Sequence, residues 1–163
     1  MNDTKLHINW YPGHMTKTRR ALEDKLKLID LVIEILDARA PLSSQNPDFD
    51  GLFAGKKRML VLNKMDMADE RITKRWLEYF RRQGENAVAY SALRGNPRQL
   101  QREIENCAQP IYEKYAAKGR KKTVRALVCG IPNVGKSAIL NRLSGTKKMQ
   151  VGNKPGVTRG LAW

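Results

Sequence analysis

The stretch from Gly130 to Ser137, which reads GIPNVGKS, constrains this sequence more than any other feature. It matches the pattern G-x-x-x-x-G-K-S/T, in which glycines let successive backbone N–H groups close around phosphate oxygens. The apolar run Val124 to Cys129 comes directly before it, and apolar residues follow at helical spacing from Ala138 to Leu143. The pattern therefore predicts a strand, a phosphate-binding loop and a helix whose N-terminus adds positive potential.

The residues of this loop have expected roles around a nucleotide and its metal ion. Lys136 is expected to bridge the outer phosphates, a catalytic role, and the Ser137 hydroxyl is expected to hold Mg²⁺. The other expected nucleotide contacts are Asn133, Val134, Gly135 and Ala138. A chance glycine turn before a helix is the alternative, but the strand, loop and helix together favour the phosphate site.

A second motif, NKMD at Asn63 to Asp66, directly follows the apolar stretch Arg58 to Leu62. The carboxylate of Asp66 can accept two hydrogen bonds from the N1–H and N2 amino groups of guanine. Adenine lacks that arrangement and would leave the carboxylate unpaired. Asn63 is expected to support the loop and reach guanine N7, and the stem of Lys64 is expected to lie along the base plane. The motif therefore predicts selection of guanine.

A third loop, YSAL at Tyr90 to Leu93, follows the next predicted strand, Ala87 to Tyr90. GTPases place a loop of this kind where its backbone contacts guanine O6. The expected contacts here are Ser91, Ala92 and Leu93. Because open α/β sheets bind ligands at the carboxyl ends of their strands, the three loops are expected to meet at one rim and hold GTP or GDP.

Apolar runs of strand length alternate with stretches of helical period, which predicts an α/β fold with a mostly parallel sheet and flanking helices. The predicted strands are Asp30 to Asp37, Arg58 to Leu62, Ala87 to Tyr90 and Val124 to Cys129. The predicted helices between them are Asp69 to Gln83 and Pro97 to Tyr115. The first of these helices places Ile72, Trp76, Tyr79 and Phe80 on one apolar face.

The charge of the chain favours a polyanionic partner. Thirty-one Lys and Arg against sixteen Asp and Glu give a formal net charge of +15, and the densest basic run is Lys118 to Lys122. Ordinary surfaces mix both signs, so nucleic acid is favoured over the alternative of a merely basic surface. We expect RNA, with no DNA specificity.

The sequence gives no sign of a membrane or secreted protein. No apolar run approaches the ~20 residues of a membrane span, and the N-terminus carries no secretory or organelle-targeting pattern. Cys107 and Cys129 stand at no metal-ligand spacing and are expected to be buried thiols in a reducing cytosol. We therefore expect a cytoplasmic, monomeric protein that does not bind membranes.

The motifs stand in an unusual order, because NKMD and SAL come before the phosphate-binding loop whereas most GTPases have the reverse. A fold tolerates such a permutation when its original termini lie close together. The order resembles the circularly permuted GTPases of ribosome assembly, closely the ribosome biogenesis GTPase A (YlqF) family. The supporting motifs are WYPGHM at 10–15, DARAPLSS at 37–44, NKMD, SAL, GIPNVGKS and PGVTR at 155–159.

This resemblance implies a P-loop NTPase three-layer fold and a GTPase that binds the large ribosomal subunit precursor and its rRNA, with the nucleotide as a switch. Thr158 matches the switch threonine that reaches Mg²⁺ and the γ-phosphate; a plain loop threonine is the alternative. His14 matches the family's N-terminal histidine, a candidate for positioning the attacking water; a turn histidine capping a helix is the alternative. Asp37 and Arg39 are expected to order the loop beside the nucleotide.

The pattern is incomplete at its C-terminal end. The family continues with a D-x-x-G motif and a helical C-terminal domain, and neither is found after Thr158. We therefore expect residues 1–163 to form a partial, C-terminally incomplete GTP-binding domain that binds guanine nucleotide weakly and hydrolyses GTP poorly. The strand Val124 to Cys129 is expected to lie at an exposed sheet edge.

Three other functions remain open from the sequence. The first is an RNA-binding assembly factor with a non-hydrolysing, vestigial nucleotide pocket, which the intact Lys136, Ser137, Asn63 and Asp66 oppose. The second is an ATPase, which NKMD opposes. The third is a signalling or trafficking GTPase, which the +15 charge and the lack of lipidation signals oppose.

Overall fold

The computed structural model describes residues 26–145, which form a four-stranded parallel sheet flanked by helices. The strands lie in the order β3-β2-β1-β4 and comprise β1 (Leu31–Asp37), β2 (Lys57–Asn63), β3 (Asn86–Ala89) and β4 (Ala126–Cys129). The helices are α1 (Asp48–Leu52), α2 (Glu70–Arg82), α3 (Pro97–Ala116) and α4 (Lys136–Ser144), with a short 3₁₀ helix at Met65–Met67. All four predicted strands and both predicted helices are present, with ends shifted by up to two residues.

Side chains on β1 alternate between two cores because successive residues of a strand point to opposite faces. On one face, Leu31, Ile33 and Ile35 belong to the cluster that includes residues of α3 and α4. On the other face, Leu36 packs with Phe80 of α2. In a third cluster, Val32 packs with Phe49 of α1 and with Phe53, the residue that caps the C-terminus of α1. Helices therefore cover both faces, which confirms the predicted three-layer α/β fold.

Helix α2 begins and packs by identifiable local interactions. The Asp69 carboxylate accepts a hydrogen bond of 2.9 Å from the Ile72 N–H, which caps the helix. Phe80 and Thr73 are buried on the inward face, whereas Ile72 and Tyr79 are 46% and 42% exposed. The predicted apolar face is therefore correct at Phe80 and wrong at Ile72 and Tyr79.

The chain path creates a switch point beside β1. The chain builds β1, β2 and β3 in one direction across the sheet, and then α3 and residues 117–125 carry it to β4, on the far side of β1. Ligands of open α/β sheets bind at the carboxyl ends of the strands where the order reverses, here between β1 and β4. Within residues 26–145, β4 pairs only with β1 and therefore forms one edge of the sheet.

The described part of the chain contains no helix that is long and apolar enough to cross a lipid bilayer.

Candidate nucleotide-binding site

The loop between β4 and α4 has a backbone that only glycine can adopt at two points. Gly130 and Gly135 have φ angles of +148° and +101°. A Cβ atom on Gly130 would lie 2.6 Å from the carbonyl oxygen of Ile35, and one on Gly135 would collide with the side-chain amide of Asn63. The loop therefore turns sharply and packs against β1 and β2, as a phosphate-binding loop requires.

Lys136 and Ser137 occupy the first turn of α4, where backbone N–H groups have no partner within the helix. The ammonium group of Lys136 donates a hydrogen bond of 2.8 Å to the carbonyl oxygen of Ile131, across the loop. Burial lowers the pKa of Lys136. Ser137 is buried, and Ala138 follows it in the same turn. The helix N-terminus and the lysine thus place positive potential beside the loop.

Asn63, at the end of β2, joins the three predicted loops. Its side-chain amide donates a hydrogen bond of 2.8 Å to the carbonyl oxygen of Val134. Its side-chain oxygen accepts a hydrogen bond of 3.0 Å from the N–H of Ala92. Asn63 is 2% exposed; its bond to Val134 is buried, and its bond to Ala92 is partly buried. The geometry matches the expected supporting role; the contact with guanine N7 stays a prediction.

Lys64 makes a second connection between NKMD and the phosphate-binding loop. Its backbone is left-handed, with a φ angle of +64°. Its ammonium group donates hydrogen bonds of 2.6 Å to the carbonyl oxygen of Asn133 and 3.1 Å to the carboxylate of Asp37. The chain segments expected to bind the base and the phosphates are therefore held together at the carboxyl end of the sheet. The expected contact of the Lys64 stem with the base stays a prediction.

Asp37 is the centre of an ionic network at the end of β1. Arg39 donates hydrogen bonds to both of its carboxylate oxygens, at 2.9 and 2.7 Å. The side chain of Arg39, together with its backbone N–H and Lys64, holds the pKa of Asp37 well below its usual range, against the opposing effect of burial. The Asp37 N–H also donates to the Ser44 hydroxyl at 2.9 Å, which fixes the DARAPLSS loop. This geometry agrees with an ordering role for Asp37 and Arg39.

Asp66 and the SAL loop lie beside each other. Asp66 belongs to the 3₁₀ helix and is partly exposed; within residues 26–145 no hydrogen bond or ion pair engages its carboxylate. The preceding residue, Met65, donates its N–H to the Tyr90 carbonyl at 3.2 Å. Ser91 is buried and accepts a hydrogen bond from the backbone of the residue three positions later, whereas Leu93 is 75% exposed. Asp66 is thus available to a ligand.

Two expected site residues, His14 and Thr158, lie outside the described residues. Their roles stay predictions.

The sequence analysis missed a buried ion pair on the α2 face of the sheet. Glu34 of β1 is fully buried and lies 3.0 Å from a terminal nitrogen of Arg58 on β2. Burial raises the pKa of Glu34 although Arg58 opposes the shift. The only sequence signal was a charged residue within the apolar run of β1. Oε1 of Glu34 also accepts a 3.4 Å hydrogen bond from the N–H of Asn46. The ion pair therefore helps to hold the loop that follows β1.

The chain is similar to GTPases that are named for the ribosome. The family model described as 50S ribosome-binding GTPase matches residues 125–163. Ribosome biogenesis GTPase A of Bacillus cereus is 47% identical over 161 residues, covering 96% of this chain and 53% of the relative. Mitochondrial ribosome-associated GTPase 1 of Bos taurus is 33% identical, covering 93% of this chain and 47% of the relative.

Solved structures give the same result. The GNP-bound structure of YlqF from Thermotoga maritima superposes with a TM-score of 0.62 at 32% identity, covering 82% of this chain and 51% of that one. A GDP-bound structure of TM YlqF gives a TM-score of 0.61 at 32% identity, with 77% and 48% covered. The chain thus spans about half the length of the curated relatives that it matches. The predicted resemblance to the ribosome biogenesis GTPase A family is confirmed.

Proposed function

We propose that this chain is the guanine-nucleotide-binding part of a GTPase that serves as an assembly factor for the large ribosomal subunit precursor. One observation carries the proposal: Asn63 and Lys64 of NKMD hold the carbonyl oxygens of Val134 and Asn133 in the phosphate-binding loop, at 2.8 and 2.6 Å. The base-reading and phosphate-binding segments, which are about seventy residues apart, therefore share one rim.

The residues at this rim have complementary tasks. Asp66 is proposed to accept hydrogen bonds from guanine N1–H and N2. The SAL loop is proposed to line the base and to direct the Leu93 N–H towards it, because the Ala92 N–H already donates to Asn63. The Gly130–Gly135 loop is proposed to direct backbone N–H groups at phosphate oxygens, and Lys136 to exchange the Ile131 carbonyl for the outer phosphates. The lowered pKa of Lys136 reflects burial, and phosphate charge would offset that effect.

The site also fits Mg²⁺. Ser137 offers a buried hydroxyl in the first turn of α4, and residues 26–145 contain no cluster of three His, Cys, Asp or Glu side chains suited to a metal. A single hydroxyl ligand from the protein suits a cation whose other ligands are phosphate oxygens and water. When bound, Mg²⁺ would neutralise charge on the outer phosphates. We propose Thr158 as its second protein ligand and His14 as the residue that positions the attacking water.

The proposed partners are the ribosomal precursor and its rRNA. The support is the net charge of +15 together with relatives named for ribosome biogenesis and for ribosome association. We propose that the protein acts as a monomer in the cytoplasm and that GTP and GDP change its affinity for the precursor. The +15 charge also fits the alternative, an RNA-binding factor whose pocket binds but does not hydrolyse nucleotide.

Competition binding tests the nucleotide part of the proposal. A fluorescent GDP analogue is bound to the chain and displaced with GTP, GDP or ATP. GTP and GDP are expected to displace it at least about 100-fold better than ATP, since adenine would leave the Asp66 carboxylate unpaired. Equal displacement by ATP, or the absence of saturable binding, would contradict guanine selection. Phosphate release with GTP then separates a hydrolysing site from one that only binds.

A further inference from the structure

The amino ends of β4, β1 and β2 lie side by side, at the end of the sheet opposite to the nucleotide rim. These strands are parallel neighbours, and Leu31 is in register with both Lys57 and Ala126. Asp30 and Arg125, the residues just before β1 and β4, are joined by backbone and side-chain hydrogen bonds of 2.9 and 3.0 Å. The start of each strand is therefore fixed relative to the next.

The densest basic run of the sequence is held at this same end. Helix α3 ends at Ala116, and residues 117–125 lead from there to the start of β4. Lys122 anchors the run, because its ammonium group lies 3.0 Å from the Asp30 carboxylate and 5.0 Å from the centre of the Tyr115 ring. The run is thus tied to the folded core at its C-terminal end.

Five exposed basic side chains lie at the start of β2 or in the segment that leads from α3 to β4, and we name them the amino-pole surface. They are Lys57, Lys118, Arg120, Lys121 and Arg125. Within residues 26–145 none of the five forms an ion pair.

Most acids at this end of the described chain are paired with residues outside this surface. The exception is Glu113, an exposed acid in the last turn of α3 that forms no ion pair within residues 26–145. Asp30 is occupied by Lys122. Asp50 and Glu85 both lie beside Arg58, which also pairs with Glu34. Most of the positive charge of the amino-pole surface is therefore not neutralised by the part of the chain that the structure describes.

We propose that the amino-pole surface binds the phosphate backbone of RNA. The inference rests on the proposed function only for its biological partner, the RNA of the ribosomal precursor; the charge argument stands on the structure. Exposed basic side chains gathered at one end of a sheet suit a polyanion of regularly spaced phosphates, whose binding releases counterions. Such contacts position the protein and carry no base specificity.

The exposed apolar side chains favour RNA over a lipid surface. Membrane adsorption needs apolar side chains inserted beside the basic ones. Among the large exposed hydrophobic residues of the described chain, Leu28 lies just before β1, at this end. Leu42, Met65 and Leu93 instead follow the carboxyl ends of strands. Tyr79 and Tyr112, near the C-terminal ends of α2 and α3, are the other large exposed side chains towards this end. In the part that the structure describes, Leu28 is therefore the one exposed aliphatic side chain at this end, and the remaining two carry a polar hydroxyl.

A pair of charge-matched variants of the 163-residue chain tests the proposal. In the pole variant, Lys57, Lys118, Arg120 and Lys121 are all replaced by Gln. In the control variant, Arg71, Arg75, Arg98 and Arg102 are replaced by Gln; these side chains are exposed on the N-terminal halves of α2 and α3. Each variant lowers the formal net charge of +15 by the same amount. Affinity for a fluorescein-labelled RNA hairpin is measured from 50 to 300 mM KCl, about the range in which phosphate contacts show their salt dependence.

The pole variant is expected to lose at least about tenfold in affinity at 150 mM KCl, and its slope of log K against log salt is expected to fall by about three. The control variant is expected to lose less than about threefold. Equal losses in the two variants would overturn the proposal, since net charge alone would explain them. Stronger binding of the unchanged chain to phosphatidylserine vesicles or polyglutamate than to the hairpin would also overturn it.

Binding of the fluorescent GDP analogue keeps this test separate from the proposed function. The four replaced residues of the pole variant lie away from the rim, so its GDP affinity is expected to equal that of the unchanged chain. A chain that binds the hairpin through this surface but binds no GDP would contradict the proposed function and support the present inference. If the chain binds GDP and the pole variant keeps its hairpin affinity, the result would support the proposed function and contradict the present inference.

Discussion

Replacing Asn63 with Ala removes the side chain that joins three loops of the site. Asn63 is 2% exposed and makes hydrogen bonds of 2.8 and 3.0 Å to Val134 and Ala92. Gly135 packs so closely that any Cβ there would meet the Asn63 amide. The substitution therefore opens a gap between β2 and the phosphate-binding loop and leaves a buried carbonyl oxygen and a partly buried N–H without their partner.

The magnitude follows from these contacts. Two hydrogen bonds contribute about 1 kcal/mol each, and a buried group left unpaired costs a further 1–3 kcal/mol. We expect the Asn63→Ala variant to lose about 3 kcal/mol of unfolding free energy, a large part of the 5–15 kcal/mol typical of a domain. GDP affinity is expected to fall by about 10- to 100-fold, because ligand binding must then order the loop that Asn63 held.

Urea unfolding and titration with a fluorescent GDP analogue measure the two effects. Asn63→Asp is nearly isosteric and keeps an acceptor for the Ala92 N–H, but it sets an oxygen against the Val134 carbonyl. This variant should therefore also lose stability. Asn86→Ala is the matched control, since Asn86 is exposed and its 3.5 Å hydrogen bond is long. A loss in Asn63→Ala no larger than in Asn86→Ala would refute the view that Asn63 joins the loops.

Two further predictions concern carboxylates at the same rim. Asp66→Asn is expected to weaken GDP binding by about 100-fold through loss of charge-assisted hydrogen bonds. It should strengthen binding of xanthosine diphosphate, whose C2 oxygen can accept from the new amide; competition binding measures the switch, and unchanged base preference would contradict it. For Asp37, the folded-state pKa is lowered, so its stabilising effect is present above the unfolded pKa near 4 and is lost as pH falls below it. Urea unfolding between pH 3 and 6 should show stability falling less steeply with acid in Asp37→Asn, by on the order of 1 kcal/mol; parallel curves would contradict the ionic network.

The strands and the site motifs could be predicted because their signals are local. Runs of apolar residues fix the strands, and GIPNVGKS and NKMD each carry their chemistry within eight residues or fewer. The inward face of α2 was harder to predict from the sequence. Ile72 and Tyr79 lie beside the face that packs on the sheet, and only tertiary packing decides which of two adjacent helix faces is buried. The pairing of Glu34 with Arg58 depends on the register of β1 against β2, which no local pattern encodes.

The two ends of the sheet are expected to work independently within residues 26–145. β1 separates Asp30 at the amino-pole surface from Asp37 at the nucleotide rim, a span of about 20 Å at roughly 3.3 Å per residue. Charges this far apart are screened, because the Debye length at physiological salt is only about 8 Å. The charge of the bound nucleotide is therefore not expected to change the proposed amino-pole contact directly. We expect a nucleotide switch to act through segments that touch the γ-phosphate, for which Thr158 is the candidate.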